Sequence, residues 1–260
     1  MKENMSFFKL AIRSSFYKFL LLTALVCLIQ AAMFAAYTKS GRGLESALNA
    51  APITAAAGIG LAAATFLFIL PWVKSGSGRP AITLNRLRIT NMRAALWLAV
   101  YNSLCFLIYW AAQLALFLLL CKGYLAIMGA SGQLHLICLA AWRVNYFHML
   151  LPLGDVIQLV RDIILVVGLA VTAVVLAMET SAASGLYTAL IASSVILVAT
   201  DGAGVDAITC SLEIGELVLV ISVQIMITAR ACRNKDEPYK KERKKRRRPD
   251  GRRGRKGFAA

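Results

Sequence analysis

Long apolar runs, and not alternation, set the pattern of this chain. Residues 19–37, 52–73 and 94–120 contain no Asp, Glu, Lys or Arg, and each is long enough for the roughly 20-residue helix that crosses hydrocarbon. Residues 181–200 are equally clean, and 208–229 form another apolar run that admits Glu213 and Glu216. The uninterrupted stretch 163–178 is short by itself, so the span is placed over 156–178, across Arg161 and Asp162. Residues 134–154 behave differently, because the apolar run 134–142 is closed by Arg143, Asn145 and His148 and then by Pro152 and Gly154. That segment is too short to cross and is assigned to an interfacial or re-entrant element. Spanning backbone must satisfy its own hydrogen bonds. The pattern therefore predicts an all-α polytopic membrane bundle of six transmembrane helices.

Ahead of the first span, Phe8, Ala11, Ile12 and Ser15 repeat at i, i+3, i+4 and i+7, with Lys9 and Arg13 on another face. Residues 1–18 thus read as an amphipathic interfacial helix. The apolar run that follows exceeds the 7–15 residues of a signal-peptide core, and an uncleaved first span is expected. Ala56, Gly60 and Ala64 in the second span, and Gly168 with Thr172 in the fourth, supply small faces for close helix packing.

Composition sharpens this picture. Hydrophobic residues make up 59% and charged residues 16% of the 260, against roughly 45–50% and about 25% in soluble domains. A soluble enzyme, a disordered chain and a small disulfide-stapled domain are all disfavoured. The net charge of +16 is unevenly placed: from Arg230 onward 15 Lys/Arg oppose 4 Asp/Glu, which puts +11 in the tail and leaves +5 elsewhere. Residues 231–260 are expected to be a disordered polybasic tail. Lys240, Lys241, Arg243, Lys244, Lys245, Arg246, Arg247 and Arg248 suit anionic lipid headgroups or act as a topology lock. The tail lacks interleaved aromatics, and sequence-specific nucleic-acid binding is not expected. Basic residues before the first span, between the second and third, and after the last place both termini in the cytoplasm of a multi-pass cell-membrane protein. The chain divides into 1–18, a transmembrane domain over 19–230, and the tail.

Catalytic chemistry is absent from the pattern. Six cysteines lie singly in or beside apolar runs, and His135 and His148 have no ligand cluster, so neither a metal nor a disulfide framework is indicated. No nucleophile, base and orienter assemble, no Gly-rich loop with Lys and Ser/Thr is present, and neither an enzyme nor a cofactor is expected. The strongest buried chemistry is in the last span, where Asp206, Thr209, Glu213, Glu216 and Gln224 fall on one helical stripe. Intramembrane acids normally face a bundle interior or a wet cavity, which makes Asp206, Glu213, Glu216 and Gln224 transport-path candidates; a proton-coupled carrier uses such a stripe.

An amphipathic entry helix, six spans with both ends inside, a basic loop after the second span and an irregular outer segment resemble the permease half of a type-2 ABC exporter. The stretch Arg86-Leu87-Arg88-Ile89-Thr90-Asn91-Met92-Arg93-Ala94-Ala95-Leu96-Trp97 is similar to small permease-like proteins of anaerobic Gram-positive bacteria. So is Ala141-Trp142-Arg143-Val144-Asn145-Tyr146-Phe147-His148-Met149-Leu150-Leu151-Pro152-Leu153. In that family the outer re-entrant element precedes the last span, whereas the irregular segment here precedes the fourth. The resemblance implies a separate ATP-binding subunit as partner, with Arg79, Arg86, Arg88 and Arg93 in the coupling loop, and a second permease subunit or a homodimer. The expected function is a permease-like export subunit. A non-transporting membrane scaffold and a proton-coupled carrier using Glu213 and Glu216 are the alternatives.

Overall fold

The computed structural model describes residues 9, 12–41, 43–73, 91–127, 143–144, 150, 156–178, 214–215, 217–219, 221–226 and 229–230. A π-helical turn, Ile12–Phe16, runs directly into α1, Tyr17–Lys39. Then come the short α2, Leu44–Leu48, and three long helices: α3, Ala51–Val73; α4, Asn91–Ile127; and α5, Val156–Met178. Toward the C-terminus the stretch Leu217–Met226 is also helical. The protein is all-α, and α1, α3, α4 and α5 are each long and apolar enough to cross a membrane.

Local chemistry accounts for where the helices begin and end. α1 terminates as its backbone turns at Gly41, whose φ of +80° is open to glycine at little cost. The Ser40 N–H donates to Ala36 O at 3.2 Å and the Gly41 N–H to Thr38 O at 3.1 Å, which satisfies carbonyls the helix leaves open. Pro52 lies in the first turn of α3, where a missing N–H is harmless. Inside the spans, the hydroxyls of Thr23, Thr65 and Thr172 donate to the carbonyls of Phe19, Leu61 and Gly168 at 2.8–2.9 Å, so these polar atoms enter hydrocarbon already paired.

The outward faces are as apolar as the inward ones. Leu21 is 72% exposed, Leu28 68%, Ile59 65% and Leu119 66%. Such surfaces in water mark aggregation or an interface; on helices of this length they mark lipid contact, and the chain is a multi-pass membrane protein.

Paired contacts give the relative directions. Ser15 meets Tyr101 and Cys27 meets Gln113, so α1 and α4 run parallel. Phe19 stacks on Phe68 at 5.4 Å while Gln30 reaches the Ile53 carbonyl, so α1 and α3 are antiparallel. α5 packs against both α3 and α4 and is the most deeply embedded helix. The expected close-approach faces recur here: Ala64 is fully buried, a Cβ on Gly60 would meet Val26 and Tyr109, and one on Gly168 would meet Ile221.

The expected spans 19–37, 52–73 and 156–178 coincide with α1, α3 and α5 to within two residues at each end. The third, expected over 94–120, starts at Asn91 and continues through Lys122 to Ile127. A lysine beyond the apolar run does not stop a helix, because its long stem carries the ammonium to the interface. The span expected over 181–200 and the tail 231–260 lie outside the described residues; 208–229 and 1–18 are described in part, helical where they are seen.

Candidate functional site in the bundle core

The buried apolar side chains fall into two clusters. One holds Phe19, Val26, Leu61, Phe68, Tyr101, Phe106, Tyr109 and Leu165; the other holds Phe34, Ile53, Ala57, Phe117, Val144 and Leu150. Along α1 the break falls between Val26 and Phe34, along α3 between Ala57 and Leu61, and along α4 between Tyr109 and Phe117. Polar side chains fill that break. Gln30, Gln113, Arg161 and Asp162 are all buried there, so the bundle contains a polar layer between two oily ones.

Each member has a specific contact. The Gln30 Nε2 donates to Ile53 O at 3.1 Å, and the Gln113 amide lies 4.0 Å from Cys27 Sγ, a weak acceptor. The Tyr109 hydroxyl donates to Ala57 O at 2.8 Å. On α5, the Arg161 Nε and Nη2 donate to Asp162 Oδ1 at 3.3 and 3.2 Å, and both side chains are nearly inaccessible. Taking one partner of such a pair away leaves an uncompensated charge in a low-dielectric setting.

A cleft of about 70 Å³ opens at this layer. Ala57 and Leu61 of α3, Phe106, Tyr109, Trp110 and Gln113 of α4, and Asp162, Leu165 and Val166 of α5 form its walls, with Leu150 at the rim. The Trp110 indole N–H donates to Leu150 O at 2.8 Å and fixes that rim. Farther out, Arg143 pairs with Glu45 at 3.4 Å, and the Asn49 amide reaches Arg143 O at 3.5 Å. The exposed lining is almost wholly apolar, with Asp162 and Gln113 as its polar members, which suits a small, mostly apolar solute.

Of the residues singled out from sequence, Gln224 is buried and its Oε1 accepts the Thr172 hydroxyl at 3.1 Å. It joins the C-terminal helical stretch to α5 beside the Gly168–Ile221 contact. Arg93 is exposed in the first turn of α4. Arg161 engages Asp162, and Arg143 engages Glu45. Asp206, Glu213, Glu216, Arg79, Arg86, Arg88 and the tail bases from Lys240 to Arg248 lie outside the described residues. Among the described residues no three His, Cys, Asp or Glu side chains converge.

Sequence reasoning missed the layer itself. Gln113 and Asp162 stand in different spans, and nothing local says they share a cavity; the available signal was the i, i+4, i+7, i+11 stripe Asn102, Phe106, Tyr109, Gln113 along α4. No family model, no curated protein and no solved structure matches the chain, so the functional reading rests on this geometry.

Proposed function

We propose that the chain is the membrane-embedded, permease-like subunit of an export complex, with six spans, both ends in the cytoplasm of a bacterial plasma membrane, and a separate ATPase as its energy source. One observation carries the reading: a cleft, within helices otherwise suited to lipid, whose wall includes Gln113 and Asp162, the acid of a buried ion pair. A purely structural bundle packs through small and apolar side chains, whereas ionisable groups at membrane depth mark solute or ion paths. The exposed Arg93, together with Arg79, Arg86 and Arg88, forms the basic surface that engages the ATPase, and the polybasic tail holds anionic headgroups.

The test is assembly. A complex extracted in mild detergent retains ATP-hydrolysing activity, and the triple replacement Arg86→Gln, Arg88→Gln, Arg93→Gln releases it. Purification as a lone polypeptide, unchanged by that triple variant, overturns the reading in favour of a scaffold. A second reading is supported by the buried Asp162 carboxylate at the cleft: a proton-coupled carrier in which Asp162 and the acids Glu213 and Glu216 serve one path. Dependence of solute movement on a proton gradient, and not on ATP, selects it.

A further inference from the structure

Asn102 is 1% exposed, and neither its amide nitrogen nor its amide oxygen has a hydrogen-bond partner among the described residues. A carboxamide buried with both ends unsatisfied is costly, and native interiors rarely hold one. Its place on α4 is informative. At 100° per residue Asn102, Phe106, Tyr109 and Gln113 lie within about 60° of one another, on a single face of the helix. Phe106, Tyr109 and Gln113 line the cleft, and Asn102 continues their row one turn beyond Phe106. Phe106 in turn packs edge-on against Phe68 at 5.5 Å, and along the helix face it is the cleft-lining residue next to Asn102.

We propose that the cleft continues past Phe106 as a water-accessible passage ending at Asn102, with the Phe106 ring as its narrow point and the Asn102 amide as an inner binding station for a small solute that presents a donor and an acceptor together. The passage runs about 16 Å along α4 from Gln113 to Asn102, at 1.5 Å per residue. Phe106 is buried, and Asn102 is not part of the cleft lining. Rotation of Phe106 admits water or solute, which gives the amide the two partners it lacks. This inference rests on the permease reading for its purpose and not for its geometry.

Single cysteines placed in the full-length chain, after replacement of its six native cysteines by Ser, test the passage with a small cationic methanethiosulfonate in proteoliposomes. The reagent needs a hydrated, ionised thiol, which lipid-facing positions do not offer. Asn102→Cys is expected to react within about tenfold of Gln113→Cys, while Leu107→Cys and Leu119→Cys, which face lipid, stay unmodified. Adding Phe106→Trp slows modification at 102 at least tenfold and leaves 113 unchanged. If 113 reacts while 102 is as inert as 107, the passage ends at Phe106 and the inference fails; an inert 113 overturns it as well. Should Asn102→Cys not fold, Asn102→Asp supplies the second measurement. A hydrated station accepts the carboxylate with no more than a tenfold fall in the folded-to-unfolded ratio, and a larger fall overturns the proposal. No partner subunit is needed for labelling, so a negative result here leaves the ATPase assembly test untouched, and the reverse.

Discussion

At Gly60 side chains of α1 and α4 press directly on the backbone of α3, and its replacement by alanine is the sharpest test of the packing. A Cβ there would lie 2.5 Å from the Tyr109 hydroxyl oxygen and 2.8 and 3.1 Å from the two methyl carbons of Val26. Ordinary contact needs about 3.5–4.0 Å, so the neighbours must retreat by roughly 1 Å. Neither does so cheaply: Val26 is a stiff β-branched side chain on the adjoining helix, and Tyr109 is hydrogen-bonded to Ala57 O at 2.8 Å. Overpacking of this kind costs about 1–3 kcal/mol. Glycine's intrinsic helix cost of about 1 kcal/mol in water is not recovered, because the separated helix in lipid keeps its backbone bonds regardless. Gly60→Ala should therefore lower the folded-to-unfolded ratio by about 5- to 150-fold, at about 1.4 kcal/mol per factor of ten, read by unfolding in mixed micelles with rising SDS. Tyr109→Phe removes the nearest atom, and the pair Gly60→Ala, Tyr109→Phe should be less damaged than the two single losses added together. An undamaged Gly60→Ala, or losses that add to within about 0.5 kcal/mol, would refute the argument.

Three further outcomes are expected. Arg161→Leu leaves the Asp162 carboxylate buried without its guanidinium, at about 3–5 kcal/mol, whereas Arg161→Leu with Asp162→Leu retains a folded protein; gel filtration in detergent separates the two, and equal behaviour contradicts the pairing. Thr172→Val or Gln224→Leu should each destabilise by about 0.6–1.7 kcal/mol, the range of interhelical hydrogen bonds in membranes, with non-additive losses in SDS unfolding. The Glu45–Arg143 pair is well exposed, at 46% and 65% of the side chains, so Arg143→Gln should cost under about 1 kcal/mol and thermal stability should vary little with salt; a large loss would make that pair a structural clasp.

The spans were legible because an apolar run near 20 residues has few other folded solutions, and the small residues at 60, 64 and 168 announced close packing. The polar layer was not legible for a physical reason. Gln30 finds its partner on α3 and Tyr109 finds its own there too, and Glu45 pairs with a residue 98 positions away; these partners belong to tertiary proximity and leave no local period. Charge draws the eye first, and so Glu213 and Glu216 stood out from sequence while uncharged amides inside α4 did not. Arg161 and Asp162 were read as an interruption a span must tolerate. Buried side by side on α5, they carry the ionic half of the layer.

The length of α4 doubles as a depth gauge. Arg93 and Lys122, both exposed, are separated by about 43 Å of helix at 1.5 Å per residue, matching the 40–45 Å of a bilayer with its headgroups. With those two charges at the two headgroup layers, the plane of the acyl-chain ends would lie halfway between them. Measured from it, Asn102 and Gln113 stand about 8 Å to either side, both well inside the slab of lipid tails. Trp110 sits about 4 Å from the same plane, far from the interfacial belts where indoles usually settle. Its N–H takes the Leu150 carbonyl at 2.8 Å in place of a headgroup.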